Sequence, residues 1–129
     1  MFCTIGYGGR KLEEFLDLLL RHEVKVLVDI RRFPKSKQPE FNPEPLREAL
    51  EKHGIEYVYL GRELGGFRKG GYPSYMKTRE YEEGIEKLLG LCGKGNVALM
   101  CKERKDSGCH RRFIAMTLRE RGFEVVSIE

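Results

Sequence analysis

The chain has 129 residues, 40% of them hydrophobic and 34% charged, a length and balance that suit one globular domain spanning residues 1–129 with its own core. It contains no apolar run near eighteen residues, which excludes a helical membrane span, and its four cysteines show no paired CxxC spacing. A formal charge of +4 is too small to announce a nucleic-acid binder, so the distribution of charge matters more than its sum.

The opening MFCTIGYGG has no basic region followed by an apolar stretch. No signal peptide is read there, a cytoplasmic location without a membrane partner is expected, and Cys3, Cys92, Cys101 and Cys109 are expected to be thiols. Trp is absent, Asn stands only at 42 and 96 and Gln only at 38, against abundant Lys, Arg and Glu, a thermophile-like bias.

Residues 2–6 (FCTIG) read as a short strand ending in the turn Gly6-Tyr7-Gly8-Gly9-Arg10. Leu12, Phe15, Leu16, Leu19 and Leu20 recur at three and four residues, so a helix follows to about His22. The β-branched run 24–30 (VKVLVDI) has the character of a strand covered on both faces. It ends at Asp29-Ile30-Arg31-Arg32, before a loop over 33–43 punctuated by prolines.

A helix is expected over 43–53, with Pro43 early and Gly54 as its stop, and a third strand over 55–60. Segment 61–77, rich in Gly and aromatics, reads as a long loop, and loops of that length are more often functional or mobile than inert. A helix over 78–91, a strand over 96–100, a helix over 108–121 and a strand over 123–128 complete the chain.

Strict alternation of strand and helix predicts an α/β, single-domain three-layer fold: a five-stranded, mostly parallel sheet with helices on both faces, in Rossmann-like order 3-2-1-4-5. That order brings the turn at 6–11 beside the loop at 101–112, in a crevice at the carboxyl ends of the strands. The loops 6–11, 29–43, 61–79 and 101–112 together carry sixteen Lys or Arg and five Asp or Glu. They form one basic rim on an otherwise acidic protein, a field that attracts anions.

The most informative stretch is 97–113, VALMCKERKDSGCHRRF. Cys109 is placed in the first turn of the helix, with Asp106 or Ser107 as N-cap. There the helix dipole and nearby arginines stabilise a thiolate, although packing as a small apolar residue is an equal reading. Cys101 closes the fourth strand, pointing into the crevice or under a helix. Its spacing does not match the cysteine-phosphatase loop, because the residue six beyond it is Ser107. His110 lines up with Ile114 and Leu118, so its ring leans toward the sheet as a hydrogen-bonded element beside a site. Cys101, Glu103, Cys109 and His110 are the candidate catalytic group. The same four could in principle ligate a metal, but without a second Cys or His cluster none is assigned.

Arg31, Arg32, Arg10, Arg68 and Arg111 come from four loops, and guanidinium forks suit phosphate or carboxylate. Gly6 and Tyr7 belong to a turn that either lets backbone approach a phosphate or is simply tight. Asp29 stands where dinucleotide-binding proteins place a ribose-binding acid, or it pairs with Arg31. These residues form the candidate ligand-binding group.

Taken together, TIGYGGR, LVDIRRFPKSKQPEFN, GIEYVYLGRELGG, ALMCKE and CHRRFIA resemble the family named domain of unknown function 488. The resemblance covers nearly the whole chain. It implies a small α/β domain without an established activity, and it singles out Arg10, Asp29, Arg31, Pro34, Phe41, Asn42, Leu64, Gly65, Gly66, Cys101, Glu103, Cys109, His110 and Arg111. Tyr7-Gly8-Gly9 stands where many relatives resemble His-Ser.

The leading expectation is an anionic, phosphate-bearing ligand, a nucleotide or nucleic acid, held on the basic rim, with thiol-based hydrolase or transferase chemistry open to Cys109 and His110. One alternative is a thiol redox or metal-sensing domain using Cys101 and Cys109. Another is a non-catalytic nucleic-acid interaction module stacking bases on Phe67, Tyr72 and Tyr75, against which those rings pack the loop onto the sheet.

Overall fold

Apolar strands and amphipathic helices alternate as the periodicity predicts. The structure, a computed structural model, describes residues 1–104 and 109–128. Strands β1 (Phe2–Gly6), β2 (Val24–Asp29), β3 (Glu56–Tyr59), β4 (Asn96–Cys101) and β5 (Val125–Ile128) pair in parallel throughout. Helices α1 (Leu12–Arg21) and α2 (Pro43–Glu51) bury Phe15, Leu16, Leu19, Leu46 and Leu50 against one face of the sheet. Helices α5 (Arg79–Leu89) and α6 (Arg111–Glu120) bury Tyr81, Ile85, Leu88, Ile114 and Leu118 against the other. Among the described residues no helix is long and apolar enough to cross a membrane.

The spatial order is β3-β2-β4-β1-β5, so β4 rather than β1 lies beside β2. The expected five-stranded parallel sheet is present, with its two central strands exchanged. Both strands are interior in either arrangement and both are buried almost throughout, so their apolar runs cannot say which sits where. The exchange matters for function. Chain leaving β4 turns to the α6 face, while chain leaving β1 and β2, its neighbours on either side, turns to the α1 and α2 face. Crevices therefore open on both sides of the β4 carboxyl end.

Two local expectations also change. Segment 61–77 is not one loop but holds two short helices, α3 (Gly61–Leu64) and α4 (Tyr72–Tyr75). Helix α6 starts at Arg111 with His110 at its N-cap position, so Cys109 precedes the helix instead of lying in its first turn. The expected caps, Asp106 and Ser107, lie outside the described residues.

Candidate functional site

The parallel strands end together at Gly6, Asp29, Tyr59 and Cys101, and the loops beyond them enclose a pocket of about 510 Å³. Tyr7 comes from the loop after β1, and Arg31, Arg32, Phe33 and Lys35 from the loop after β2. Gly66, Phe67, Arg68, Gly71 and Tyr72 come from the segment after β3, and Cys101, Lys102, Glu103, Cys109 and His110 from the β4–α6 connection. Five of these residues are Lys or Arg and one is Glu, so the wall is basic.

Arg31 is fixed from below. Its Nε donates to Asp29 Oδ1 (2.9 Å) and its Nη2 to Asp29 Oδ2 (2.8 Å), and its backbone N–H donates to Oδ1 as well. The Tyr57 hydroxyl donates to the second carboxylate oxygen at 2.6 Å. Asp29 is fully buried and Arg31 only 7% exposed, so the pair forms a bidentate fork out of water. Burial acts to lower the Arg31 pKa, but the Asp29 carboxylate outweighs it and the net shift is upward. The remaining nitrogen, Nη1, is buried without a well-aligned hydrogen bond among the described residues, and the guanidinium lies 5.2 Å from the centre of the Tyr7 ring, with Tyr7 adding to the upward shift of its pKa. Asp29 is accordingly the anchor of Arg31, and it is not in the pocket wall as a ribose ligand would be.

The cysteines come in one close pair and two separate residues. The sulfurs of Cys101 and Cys109 meet at the pocket wall, but their Cα atoms are 7.5 Å apart, wider than the roughly 4.4–6.8 Å a disulfide spans, so the contact places two cysteines side by side without fixing a bond between them; Cys3 and Cys92 are free. Eight positions separate the pair in sequence, but the strand end and the helix start face each other across the crevice. Burial raises the Cys3 thiol pKa. The Arg111 backbone N–H, first in α6, donates to Cys109 Sγ at 3.5 Å, so the helix N-terminus reaches the sulfur although Cys109 lies outside the helix.

His110 leans toward the sheet as expected. Its Nε2 donates to the Ile30 carbonyl at 3.3 Å, which leaves Nδ1 as an acceptor 3.6 Å from Cys109 Sγ. Burial pushes its pKa down to about 4 against the pull of that hydrogen bond. At neutral pH it is an uncharged acceptor. Gly66 is the wall behind it, since a Cβ there would lie 3.0 Å from Nδ1.

The Gly-rich turn does not present free donors. Tyr7 N–H goes to the Cys101 carbonyl, Gly8 N–H to Lys102, Gly9 N–H to Gln38 Oε1 and Arg10 N–H to Tyr7. The glycines serve close approach instead: a Cβ on Gly6 would lie 1.8 Å from the Glu103 carbonyl oxygen. Gly6 is thus a packing residue, and Arg10 folds back to donate from Nε to the Gly6 carbonyl (2.8 Å), outside the pocket wall. Arg111 is fully buried and likewise not in that wall. Arg68 lines the pocket, but its guanidinium donates to the Gly65 and Arg62 carbonyls and lies over the Tyr75 ring. It anchors the loop.

The pocket therefore brings together Tyr7, Arg31, Arg32, Arg68, Cys101, Glu103, Cys109 and His110, and leaves out Gly6, Arg10, Asp29 and Arg111. Phe33, Lys35 and Lys102 lie within the expected rim segments 29–43 and 101–112 but were not singled out individually, and neither was Gly71. Tyr72 and Tyr75 are buried and bonded to the Leu64 and Glu63 carbonyls, so they pack the loop, with Tyr72 also reaching the pocket wall, whereas Phe67 is exposed. Among the described residues no three His, Cys, Asp or Glu side chains gather to hold a metal ion.

No curated protein and no solved structure matches the chain. The family model described as domain of unknown function DUF488 matches residues 11–118, a span that contains every pocket-lining residue except Tyr7, and the chain belongs to that family.

Proposed function

We propose that the chain binds a phosphate-bearing anion in this pocket, seated against Arg31 and flanked by Lys35 and Lys102. The observation that carries the reading is the state of Arg31. A buried guanidinium held by Asp29 on two nitrogens keeps its third without a well-aligned hydrogen bond, and leaving such a donor unsatisfied costs roughly 1–3 kcal/mol. An anionic oxygen reaching Nη1 from the pocket removes that cost, and the fixed fork gives it a defined direction. The uncharged His110 offers no competing cation, and the surrounding lysines supply attraction at longer range.

The test is titration with inorganic pyrophosphate and with nucleotides at low salt. Binding is expected there, and Arg31→Lys, which keeps the charge but loses the fork, is expected to weaken it at least several-fold. No binding of any of these anions at low salt would remove the reading, because electrostatic attraction is strongest under that condition.

The meeting of the Cys101 and Cys109 sulfurs favours a second reading, a thiol pair that closes to a disulfide and is reopened by an external thiol reductant. Two electrons and two protons from two small-molecule thiols open the bond, giving their disulfide and two protein thiols. The Cys109 S–H then has His110 Nδ1 as its acceptor. If the pair cycles, a mild disulfide oxidant protects two thiols from alkylation in the native protein and none in Cys101→Ser. Four alkylated thiols after oxidant treatment would dispose of it.

A further inference from the structure

The two most exposed large apolar side chains of the described surface, Phe67 at 84% and Phe33 at 65%, both stand at the mouth of the pocket. They come from different loops, yet their ring centroids are 6.0 Å apart with an interplanar angle of 36°. Arg32 ties the two together. Its Nη1 donates to the Phe67 carbonyl at 2.5 Å and its guanidinium lies 5.5 Å from the centre of the Phe33 ring. The Arg32 carbonyl is itself held by the Tyr59 hydroxyl at 2.9 Å.

Phe67 also has φ of +60°, in the left-handed region that a bulky side chain avoids, although Gly65, Gly66 and Gly70 stand close by in the same segment. Backbone strain held in place by a hydrogen bond, to keep a ring in water beside an anion pocket, has no packing purpose within the chain. Flat aromatic faces at such a mouth match a planar aromatic ligand.

We infer that Phe33 and Phe67 form a base-stacking lip, so that the ligand is a nucleoside phosphate with its base on the lip and its phosphate in the basic pocket. The inference rests on the anion-binding reading and adds the base to it. The same chemistry is offered by a free mononucleotide or by an unpaired nucleotide at the end of a strand. A pocket of about 510 Å³ is within the range of small-molecule sites, roughly 300–1,000 Å³.

The experiment compares pyrophosphate, a nucleoside diphosphate, a short single-stranded oligonucleotide and a duplex on the full chain at low salt. The nucleoside diphosphate is expected to bind at least about ten-fold tighter than pyrophosphate, the usual scale of one stacked base. Phe67→Gly, which removes the ring and relieves the positive φ, is expected to erase that difference, the nucleoside diphosphate losing far more affinity than pyrophosphate. Because the chain has no Trp, Phe67→Trp adds a single reporter whose fluorescence should be quenched by the nucleotide and not by pyrophosphate. Equal affinity for pyrophosphate and the diphosphate, or equal losses of both in Phe67→Gly, overturns the lip and leaves the anion pocket standing. Failure of all four probes overturns the pocket and the lip with it. Tighter binding of the oligonucleotide than of the diphosphate assigns the lip to a strand end, and the reverse assigns it to a free nucleotide.

Discussion

Asp29, Arg31 and Tyr57 show how one buried acid organises the pocket. The Tyr57 pKa is raised, first by burial and then by the adjacent Asp29 carboxylate, so its hydroxyl remains a donor throughout the neutral range. Asp29→Ala leaves the Arg31 guanidinium buried without its counter-charge and is expected to cost about 3–5 kcal/mol of unfolding free energy. Tyr57→Phe removes one hydrogen bond to a charged group and should cost about 1.5–3 kcal/mol by denaturant titration. If the two losses simply add in the double variant, the hydroxyl does not act through Asp29. His110 sets a pH limit. Its folded pKa of about 4 lies below the unfolded value of 6.5, so between those pH values the unfolded chain takes up a proton that the folded chain refuses. That contribution is complete above pH 6.5 and fades as pH falls toward 4, by an amount on the order of 3 kcal/mol. Unfolding curves from pH 7 to pH 4 should show this loss, and His110→Gln should flatten it. An unchanged slope in the variant would assign the effect to other groups.

At the level of elements, the glycines divide into two kinds that sequence alone leaves indistinguishable. Gly6 needs its hydrogen because the β1 and β4 chains run on together beyond the sheet, with Tyr7 and Gly8 bonded to Cys101 and Lys102. Gly9 needs only its φ of +73°, and a Cβ there would meet nothing within 4 Å. Gly6→Ala is therefore expected to destabilise by about 3 kcal/mol or more, the range of severe core disruption. Gly9→Ala should cost about 1–2 kcal/mol, the usual penalty of a left-handed alanine. Comparable denaturation midpoints for the two variants would contradict the close packing. The same contrast shows what the sequence could reveal. Periodicity located the strands and the long helices to within a few residues, because burial on one or both faces leaves a repeating mark. The start of α6 and the short helices α3 and α4 left no such mark, since the polar and Gly-rich residues there are ordered by tertiary contacts. Tyr72 and Tyr75 illustrate this: their hydroxyls close onto carbonyls of α3, a pairing no local pattern announces.

Over the whole molecule, the legible part of the site was its location and its charge. Loops at the carboxyl ends of parallel strands must converge, so the basic residues of four loops could be assigned to one rim before any distance was known. Which arginine faces the pocket depends on partners instead, and Arg10, Arg68 and Arg31 look alike in sequence. Their carbonyl and carboxylate partners, Gly6, Gly65 and Asp29, give each a different task. The rim as a field is a separate matter from any single contact, and it leads to a separate expectation. Lys35 and Lys102 are exposed at the pocket, whereas Lys25 and Lys52 are exposed at the opposite, amino-terminal end of the strands. Between roughly 20 and 200 mM salt the Debye length falls from about 20 Å to about 7 Å, which screens the exposed lysines far more than the buried Arg31–Asp29 fork. Pyrophosphate affinity should therefore fall over that interval. The Lys35→Ala, Lys102→Ala double variant should bind several-fold more weakly at low salt and lose most of the salt sensitivity. The Lys25→Ala, Lys52→Ala variant, with the same change in net charge, should track the parent at both salt concentrations. Isothermal titration of the three proteins separates the cases: equal losses in the two variants would mean that net charge alone attracts the anion, and that the segregation of basic residues to one end of the sheet has no part in it.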